Sequence, residues 1–183
     1  MKVDVASGRL RGAAFRPSTF HDRRPAGMAI SLIVIHGISL PPGRFGGTAV
    51  EGLFLGRFLA WQPPGLEDLA GVRVSAHLFI RRNGRVIQFV PFHRRAWHAG
   101  VSSFAGQTRC NDYSIGIELE GTDTVPYAEI QYERLISVSR HLMRAYPAIQ
   151  VDRIVGHCDI APARKTDPGA VFEWGLFRRA LAV

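Results

Sequence analysis

The sequence predicts an α/β protein, and three segments carry that prediction. Residues 30–36 form a continuous apolar run closed by a histidine, which is typical of a buried strand. Residues 113–120 alternate strictly between apolar and polar or small side chains, as expected of a strand with two different faces. Residues 128–146 place apolar side chains at helical spacing and end before a proline. We expect one domain spanning residues 1–183, long enough to bury a core without disulfide bonds.

The chain is less regular on either side of the first strand. Residues 1–28 are polar, arginine-rich and aperiodic, and we expect an N-terminal arm that precedes a core over residues 30–180. Residues 48–60 fit a short amphipathic helix, although two glycines weaken the pattern. The proline- and glycine-rich loop at 61–65 is either a substrate-binding rim or plain surface packing.

A β-hairpin is predicted next, because β-rich runs at 74–80 and 86–90 flank the turn signal Asn83-Gly84. His77 lies within the first run. A histidine inside a strand is more often packed there than used as a ligand, so we expect His77 to be structural.

The C-terminal third predicts a short strand at 151–155, followed by a loop that carries His157, Lys165 and Asp167. A histidine and a carboxylate so close in sequence can converge on one metal if the loop folds back. His36 is a candidate for the missing ligand, because α/β sheets tend to place their chemistry at strand ends. Two histidines and one aspartate would leave one position of a tetrahedral zinc open for water.

Each of these residues also has a structural interpretation. Asp167 followed by Pro168 matches a helix N-cap with proline at the first helical position, and a helix that docks on the core is predicted at 171–181. A lone histidine at a strand end is often a satisfied structural group, and Lys165 could be a solvated loop charge. No compact signature such as H-E-x-x-H is present, so spacing alone leaves both interpretations open.

Two further segments supply candidate groups for catalysis or binding. Gly116 in the middle of the strand at 113–120 suggests that another part of the molecule approaches closely there. Glu118, beside that gap, is a better candidate for a general base than Glu120, which we expect to be solvated. Trp97 offers a flat apolar face that could stack on a sugar ring, and His98 a hydrogen bond, although both could also be core residues.

The composition narrows the class of protein. The formal net charge of +8 comes from arginines spread along the chain, which predicts a positive field for anionic ligands. We find no zinc-finger spacing, RNA-binding aromatic signature or basic helix, so we expect no nucleic-acid partner. We also find no signal-peptide apolar region and no run of the roughly 20 apolar residues that cross a membrane. Cys110 and Cys158 form no C-x-x-C pair and indicate reduced thiols in a cytoplasmic protein, although release without a signal stays open.

Several stretches, in family order over residues 30–180, resemble the zinc-dependent N-acetylmuramoyl-L-alanine amidases, and most of all their AmpD-type branch, the 1,6-anhydro-N-acetylmuramyl-L-alanine amidases of Gram-negative bacteria. The stretches are Ile35-His36-Gly37-Ile38-Ser39-Leu40-Pro41-Pro42-Gly43, Arg73-Val74-Ser75-Ala76-His77, Ala96-Trp97-His98-Ala99-Gly100-Val101-Ser102, Arg109-Cys110-Asn111-Asp112 through Gly121-Thr122-Asp123, and Gly156-His157 through Gly169.

The resemblance implies a central mixed β-sheet flanked by helices, as in peptidoglycan-recognition proteins. It implies that His36, His157 and Asp167 bind Zn²⁺, that Glu118 is the general base, and that Lys165 lies beside the developing oxyanion. The implied reaction is hydrolysis of the amide bond between (1,6-anhydro-)N-acetylmuramic acid and L-alanine, in peptidoglycan recycling. The alternatives are a lytic amidase acting on intact peptidoglycan and a non-catalytic recognition module, which the loss of a zinc ligand would mark.

The resemblance also implies substrate contacts. Arg73 and Arg109 match residues near stem-peptide carboxylates, and Trp97, with His98 in the same motif, matches a position near the muramyl sugar. The partner is then a muropeptide, without nucleic acid or membrane insertion, and we expect a monomer. One departure is Gly37, where members of the branch often carry asparagine, so a side-chain contact to substrate is absent.

Overall fold

The structure is a computed structural model that describes residues 1–57 and 66–182. In that part of the chain the helices are α1 (Ala49–Phe54), α2 (Glu129–Ala145), α3 (His157–Ile160) and α4 (Trp174–Leu181), and 3₁₀ turns lie at Glu67–Leu69, Cys110–Asp112 and Val151–Arg153. The strands are β1 (Lys2–Asp4), β2 (Arg9–Arg11), β3 (Ala14–Phe15), β4 (His21–Arg23), β5 (Leu32–Ile38), β6 (Leu78–Ile80), β7 (Val86–Gln88), β8 (Arg94–Ala96), β9 (Ser103–Phe104), β10 (Gln107–Thr108), β11 (Ser114–Glu120) and β12 (Ile154–Gly156).

A six-stranded mixed sheet lies at the centre, in the order β12-β5-β11-β6-β7-β3. The hairpin strands β6 and β7 are antiparallel, whereas the other neighbouring pairs are parallel. The apolar side chains of β5 and β11 on one face pack against α2 and α4. On the other side of the sheet, α1 packs over β6 and β7. The predicted mixed sheet flanked by helices is confirmed.

The two strands at the centre of the sheet correspond to the two strongest strand patterns. The run predicted at 30–36 forms β5 two residues later, and the alternating segment at 113–120 forms β11. β11 lies between the parallel strands β5 and β6, and all seven of its residues are buried. Glu120 is only 3% exposed, and it accepts hydrogen bonds from the backbone N–H groups of Gly46 and Arg82. The expectation that Glu120 is solvated is therefore wrong.

The predicted helix at 128–146 is confirmed as α2. Its start is fixed by Gln131, whose side-chain oxygen accepts the backbone N–H of Ala128. Leu135, Val138 and Leu142 are fully buried against the sheet, as the helical spacing predicts. No helix in the described part of the chain is both long and apolar enough to cross a bilayer.

The N-terminal arm is more regular than its sequence suggests. It forms the short strands β1 to β4, of which β3 joins the edge of the central sheet beside β7 and β4 pairs with β8. The guanidinium group of Arg24 fastens the end of the arm, because it donates to the backbone carbonyls of Phe92, Asn111, Asp112 and Ser114. All these partners lie about 70 to 90 residues away in sequence.

The predicted bounds of one helix and one strand need correction. The helix predicted at 48–60 is α1 and ends at Phe54; residues 58–60 and the loop predicted at 61–65 lie outside the described residues. Of the strand predicted at 151–155, residues 151–153 form a 3₁₀ turn, and the strand itself is β12.

The N-cap interpretation of Asp167 is also wrong. The residues that follow Asp167, all within the described range, form turns and bends until α4 begins at Trp174. The carboxylate of Asp167 is thus not used by a helix and is available to the site described next.

Candidate metal centre

Two neighbouring parallel strands bring the two predicted histidine ligands together. His36 lies in β5, and His157 directly follows β12, whose last residue Gly156 is paired with Ile35. The Nδ1 atoms of the two histidines are 3.0 Å apart. Oδ2 of Asp167 lies 3.2 Å from each of these two nitrogens. The three ligand atoms lie within 4.8 Å of one another, so they converge on one point.

The outer ring nitrogen of each histidine has its own partner. His36 Nε2 lies 2.9 Å from Nδ1 of His98, and His157 Nε2 lies 3.2 Å from the carbonyl oxygen of Ala99. These contacts leave both Nδ1 atoms for a metal. Two imidazole nitrogens and one carboxylate oxygen are a donor set that zinc prefers, with a fourth position open.

The protonation states suit metal binding as well. Burial lowers the pKa of His36 to about 4, so its ring is neutral at pH 7. Burial alone would raise the pKa of Asp167, but its contacts with His157 and His36 outweigh that effect and lower this pKa. A neutral imidazole and an ionised carboxylate are the forms that bind a metal.

The backbone around Asp167 is tied to the rest of the fold on both sides. The carbonyl oxygen of Asp167 accepts the N–H of Cys158, at 3.0 Å. The hydroxyl group of Tyr127 donates to the carbonyl oxygen of Pro168, at 2.9 Å. The third ligand therefore sits on a loop whose position is fixed by α3 and by a buried tyrosine.

Tyr127 lies in a slot between two glycines at the ends of β5 and β11. A Cβ atom at Gly37 would be 2.3 Å from the Tyr127 hydroxyl oxygen. A Cβ atom at Gly121 would be 2.2 Å from Cε1 of the same ring. The space beside Gly37 is thus filled by Tyr127, which explains how the chain accommodates a residue without a side chain after His36.

Glu118 stands next to the candidate metal position. It is the register partner of His36 on the adjacent strand, so both side chains point to the same face of the sheet. It is 8% exposed, and its Oε2 has no hydrogen-bond partner among the described residues. Burial and the nearby charge of Asp167 raise the pKa of Glu118 well above its ordinary value, and Lys165 opposes the shift. An unpaired carboxylate oxygen with raised basicity fits a proton acceptor.

These groups share one cleft of about 280 Å³. Its lining includes the apolar residues Ile38, Leu53, Phe54 and Val74. It also includes seven of the residues predicted from sequence, namely His36, Trp97, His98, Glu118, His157, Lys165 and Asp167.

The two predicted substrate-binding arginines, Arg73 and Arg109, lie at different distances from the cleft. The guanidinium carbon of Arg73 is 5.4 Å from the ring centre of Trp97, and Phe20 of the N-terminal arm stacks on the same ring with a centroid distance of 6.3 Å. Arg109 is 70% exposed, its Nε is 3.2 Å from Oδ2 of Asp112, and it is not among the residues that line the cleft. Neither arginine is among the lining residues, but Arg73 lies beside Trp97, which lines the cleft, whereas Arg109 contacts Asp112.

The close approach predicted at Gly116 comes from His98. A Cβ atom at Gly116 would lie 2.5 Å from Cγ of that ring. His77 is buried and structural, as expected, and its Nδ1 accepts the backbone N–H of Gly116.

Sequence reasoning missed four residues that support the site. Tyr127 is one. Asn111 accepts the backbone N–H groups of His98 and Ala99 with its side-chain oxygen. Arg164 donates to the Ala99 carbonyl, and the Ser114 hydroxyl lies 3.1 Å from His98 Nε2. Ser114 lies on the same face of the alternating strand as Glu118, so the pattern could have indicated it. The local sequence pattern gave no indication of Tyr127, Asn111 or Arg164.

Comparison with known proteins gives consistent results. A family model described as N-acetylmuramoyl-L-alanine amidase matches residues 26–170. The chain is 53% identical over 174 residues to the 1,6-anhydro-N-acetylmuramyl-L-alanine amidase AmpD of Escherichia coli (strain K12), covering 95% of this chain and 94% of that protein. It matches the crystal structure of a selenomethionine AmpD derivative with a TM-score of 0.94 and 51% identity, over 99% of both chains. A complex of the E. coli amidase AmiD with anhydro-N-acetylmuramic acid-L-Ala-D-γ-Glu-L-Lys matches with a TM-score of 0.61 and 30% identity, over 86% of this chain and 60% of that chain.

Proposed function

Because this chain belongs to the N-acetylmuramoyl-L-alanine amidase family, we propose that His36, His157 and Asp167 hold a zinc ion in the cleft. The protein is an amide hydrolase. It cleaves the bond between 1,6-anhydro-N-acetylmuramic acid and L-alanine in muropeptides, a reaction of peptidoglycan recycling. The observation that carries the zinc proposal is the convergence of three ligand atoms beside an unpaired glutamate oxygen.

Zinc, when bound, supplies a Lewis acid that polarises a carbonyl group and lowers the pKa of water to about 7. Glu118 accepts the proton of the attacking water and returns it to the leaving amine of L-alanine. Its raised pKa supports this role, because it makes the carboxylate a stronger proton acceptor than an ordinary glutamate. Lys165 stabilises the negative charge that develops on the carbonyl oxygen, an effect worth roughly 3–4 kcal/mol for one well-placed donor.

We propose that the substrate extends from the metal ligands toward Trp97 and Arg73. In this proposal Trp97 presents a ring face to the muramyl sugar, and Arg73 beside it binds a stem-peptide carboxylate. Arg109 is exposed and ion-paired with Asp112, so it contributes a carboxylate contact only if that ion pair opens.

We propose that the enzyme is active as a monomer. We also propose that the enzyme works in the cytoplasm on a released muropeptide, as a recycling reaction requires. Light scattering of the purified protein and fractionation of cells that express it test these two points, and a stable dimer or a periplasmic location would contradict them.

The activity is tested by mass spectrometry of reaction products. Zinc-loaded protein is incubated separately with anhydro-muramyl tripeptide and with intact sacculi. Release of free tripeptide from the small substrate, lost after chelation and in Asp167→Ala, is the expected result. Equal or faster release from sacculi would instead favour a lytic amidase, and unchanged activity in Asp167→Ala would exclude the ligand set.

A further inference from the structure

One short segment contacts both histidine ligands on the side that faces away from the proposed metal. The segment comprises His98 and Ala99. Its side-chain Nδ1 at His98 meets Nε2 of His36, and its carbonyl oxygen at Ala99 meets Nε2 of His157. Both residues follow β8, and His98 was expected only to contact substrate or to fill the core.

The direction of the hydrogen bonds follows from the ligand geometry. His36 turns Nδ1 toward His157 and Asp167, so a metal there takes the lone pair of Nδ1 and leaves the proton on Nε2. His36 Nε2–H then donates to His98 Nδ1. His98 must carry its own proton on Nε2, which lies 3.1 Å from the Ser114 hydroxyl and can donate to it. The chain of donors runs without conflict from His36 to Ser114.

The ring of His98 has little freedom to turn away. It lies against Gly116, where a Cβ atom would be 2.5 Å from Cγ of the ring. Asn111 accepts the backbone N–H groups of His98 and Ala99 at 3.2 and 2.9 Å. Arg164 donates to the Ala99 carbonyl oxygen at 2.7 Å. The segment is thus fixed from three sides before any ligand binds.

We propose that His98 is a positioning residue that holds the His36 ring with Nδ1 directed at the zinc ion. This proposal rests on the proposed function and replaces a direct substrate contact as the main role of His98. A hydrogen-bond acceptor behind a ligating histidine fixes its tautomer and orientation, and removing such a partner typically lowers metal affinity 10- to 100-fold.

The test compares two amides that place an acceptor at different points. In His98→Asn the side-chain oxygen can occupy the place of Nδ1 and accept from His36. In His98→Gln the amide extends toward Ser114, and the acceptor behind His36 is lost. We expect the zinc dissociation constant, measured by competition with a chromophoric chelator, to rise 10- to 100-fold in His98→Gln and by less than about threefold in His98→Asn.

Trp97→Phe is the matched control at the neighbouring position. It should raise KM for anhydro-muramyl tripeptide while zinc affinity stays at the wild-type value, because the Trp97 side chain contacts neither of the ligands His36 and His157. In addition, long-range ¹H–¹⁵N spectra of the zinc-loaded wild type should show the Nε2-protonated tautomer for both His36 and His98.

The outcomes separate this proposal from the proposed function. If the wild type binds zinc and His98→Gln binds it equally tightly, the positioning role is overturned and the amidase assignment stands. If His98→Gln changes only KM, His98 is a substrate contact. If the wild type binds no zinc, both proposals fail.

Discussion

The slot between Gly37 and Gly121 allows a sharp test of how Tyr127 supports the site. Tyr127→Phe removes the hydroxyl group that donates to Pro168, next to the ligand Asp167. The lost hydrogen bond should lower the free energy of unfolding by about 1–1.5 kcal/mol. Gly37→Ala places a methyl group 2.3 Å from that hydroxyl oxygen, and overpacking of this kind costs roughly 1–3 kcal/mol.

The two substitutions should not be additive. In the Tyr127→Phe background the oxygen is gone, and the nearest atoms to the new methyl group are Cζ of the ring and Cα of Pro168, both at an ordinary 3.6 Å. Gly37→Ala should then cost less than about 0.5 kcal/mol, which gives a coupling energy of about 1 kcal/mol or more.

Gly121→Ala provides the control for this cycle. Its methyl group would meet Cε1 and Cδ1 of the ring at 2.2 and 2.9 Å, and both carbons are retained in phenylalanine. Its cost should therefore be similar with either residue at position 127. The measurement is urea unfolding of zinc-free protein followed by far-UV circular dichroism. Additivity of Gly37→Ala with Tyr127→Phe to within about 0.3–0.5 kcal/mol would refute the reasoning.

Three further predictions concern the charged groups. Because the pKa of Glu118 is raised in the folded protein, the folded protein keeps a proton that the unfolded protein releases above about pH 4.5. The free energy of unfolding therefore falls as the pH rises from about 4.5 to the folded-state pKa of Glu118. Zinc-free Glu118→Gln should consequently be more stable than zinc-free wild type at pH 7, as measured by urea unfolding, and this gain in stability should vanish below about pH 4.5. In the presence of zinc, Glu118→Gln should still bind the metal but lose most turnover. Lys165→Ala should keep zinc affinity and lower kcat about 100-fold or more in a tripeptide-release assay; an unchanged kcat would exclude its oxyanion role. Arg24→Met should lower the free energy of unfolding by about 3 kcal/mol or more, because several backbone carbonyl groups lose a charged donor. The control is Arg23→Met at the exposed neighbouring position, which should change the free energy of unfolding by less than about 0.5 kcal/mol.

The sequence predicted the site best where a chemically reactive side chain lies in a segment with a regular strand pattern. The apolar run before His36 and the alternation around Glu118 predicted two neighbouring strands of the sheet and the face on which Glu118 lies. The two predicted histidine ligands converge because the parallel strands β5 and β12 are neighbours, and the loop after α3 brings Asp167 to them.

Periodicity does not reveal what covers a face. Glu120 on the polar side of β11 was expected to be solvated, but the segments that carry Gly46 and Arg82 cover it, so it is a buried acceptor. The same limit hid the role of Tyr127, whose partner Pro168 is 41 residues away, and the pairing of β3 with β7. Such long-range contacts depend on tertiary packing, which no local pattern encodes.

The register between β5 and β11 also determines how this enzyme can change. His36 and Glu118 are paired across adjacent strands, so the sheet itself sets the distance between their backbones at about 4.8 Å. The hydrogen-bonded strands fix this spacing, so surrounding loops can be lengthened, shortened or exchanged without altering the distance between the two backbones. A change of side-chain length has no such tolerance, since Glu118→Asp withdraws the carboxylate by roughly 1.5 Å and the hydrogen-bonded strands cannot follow it. Variation in substrate preference is therefore expected in the loops, while the distance from ligand to base stays constant.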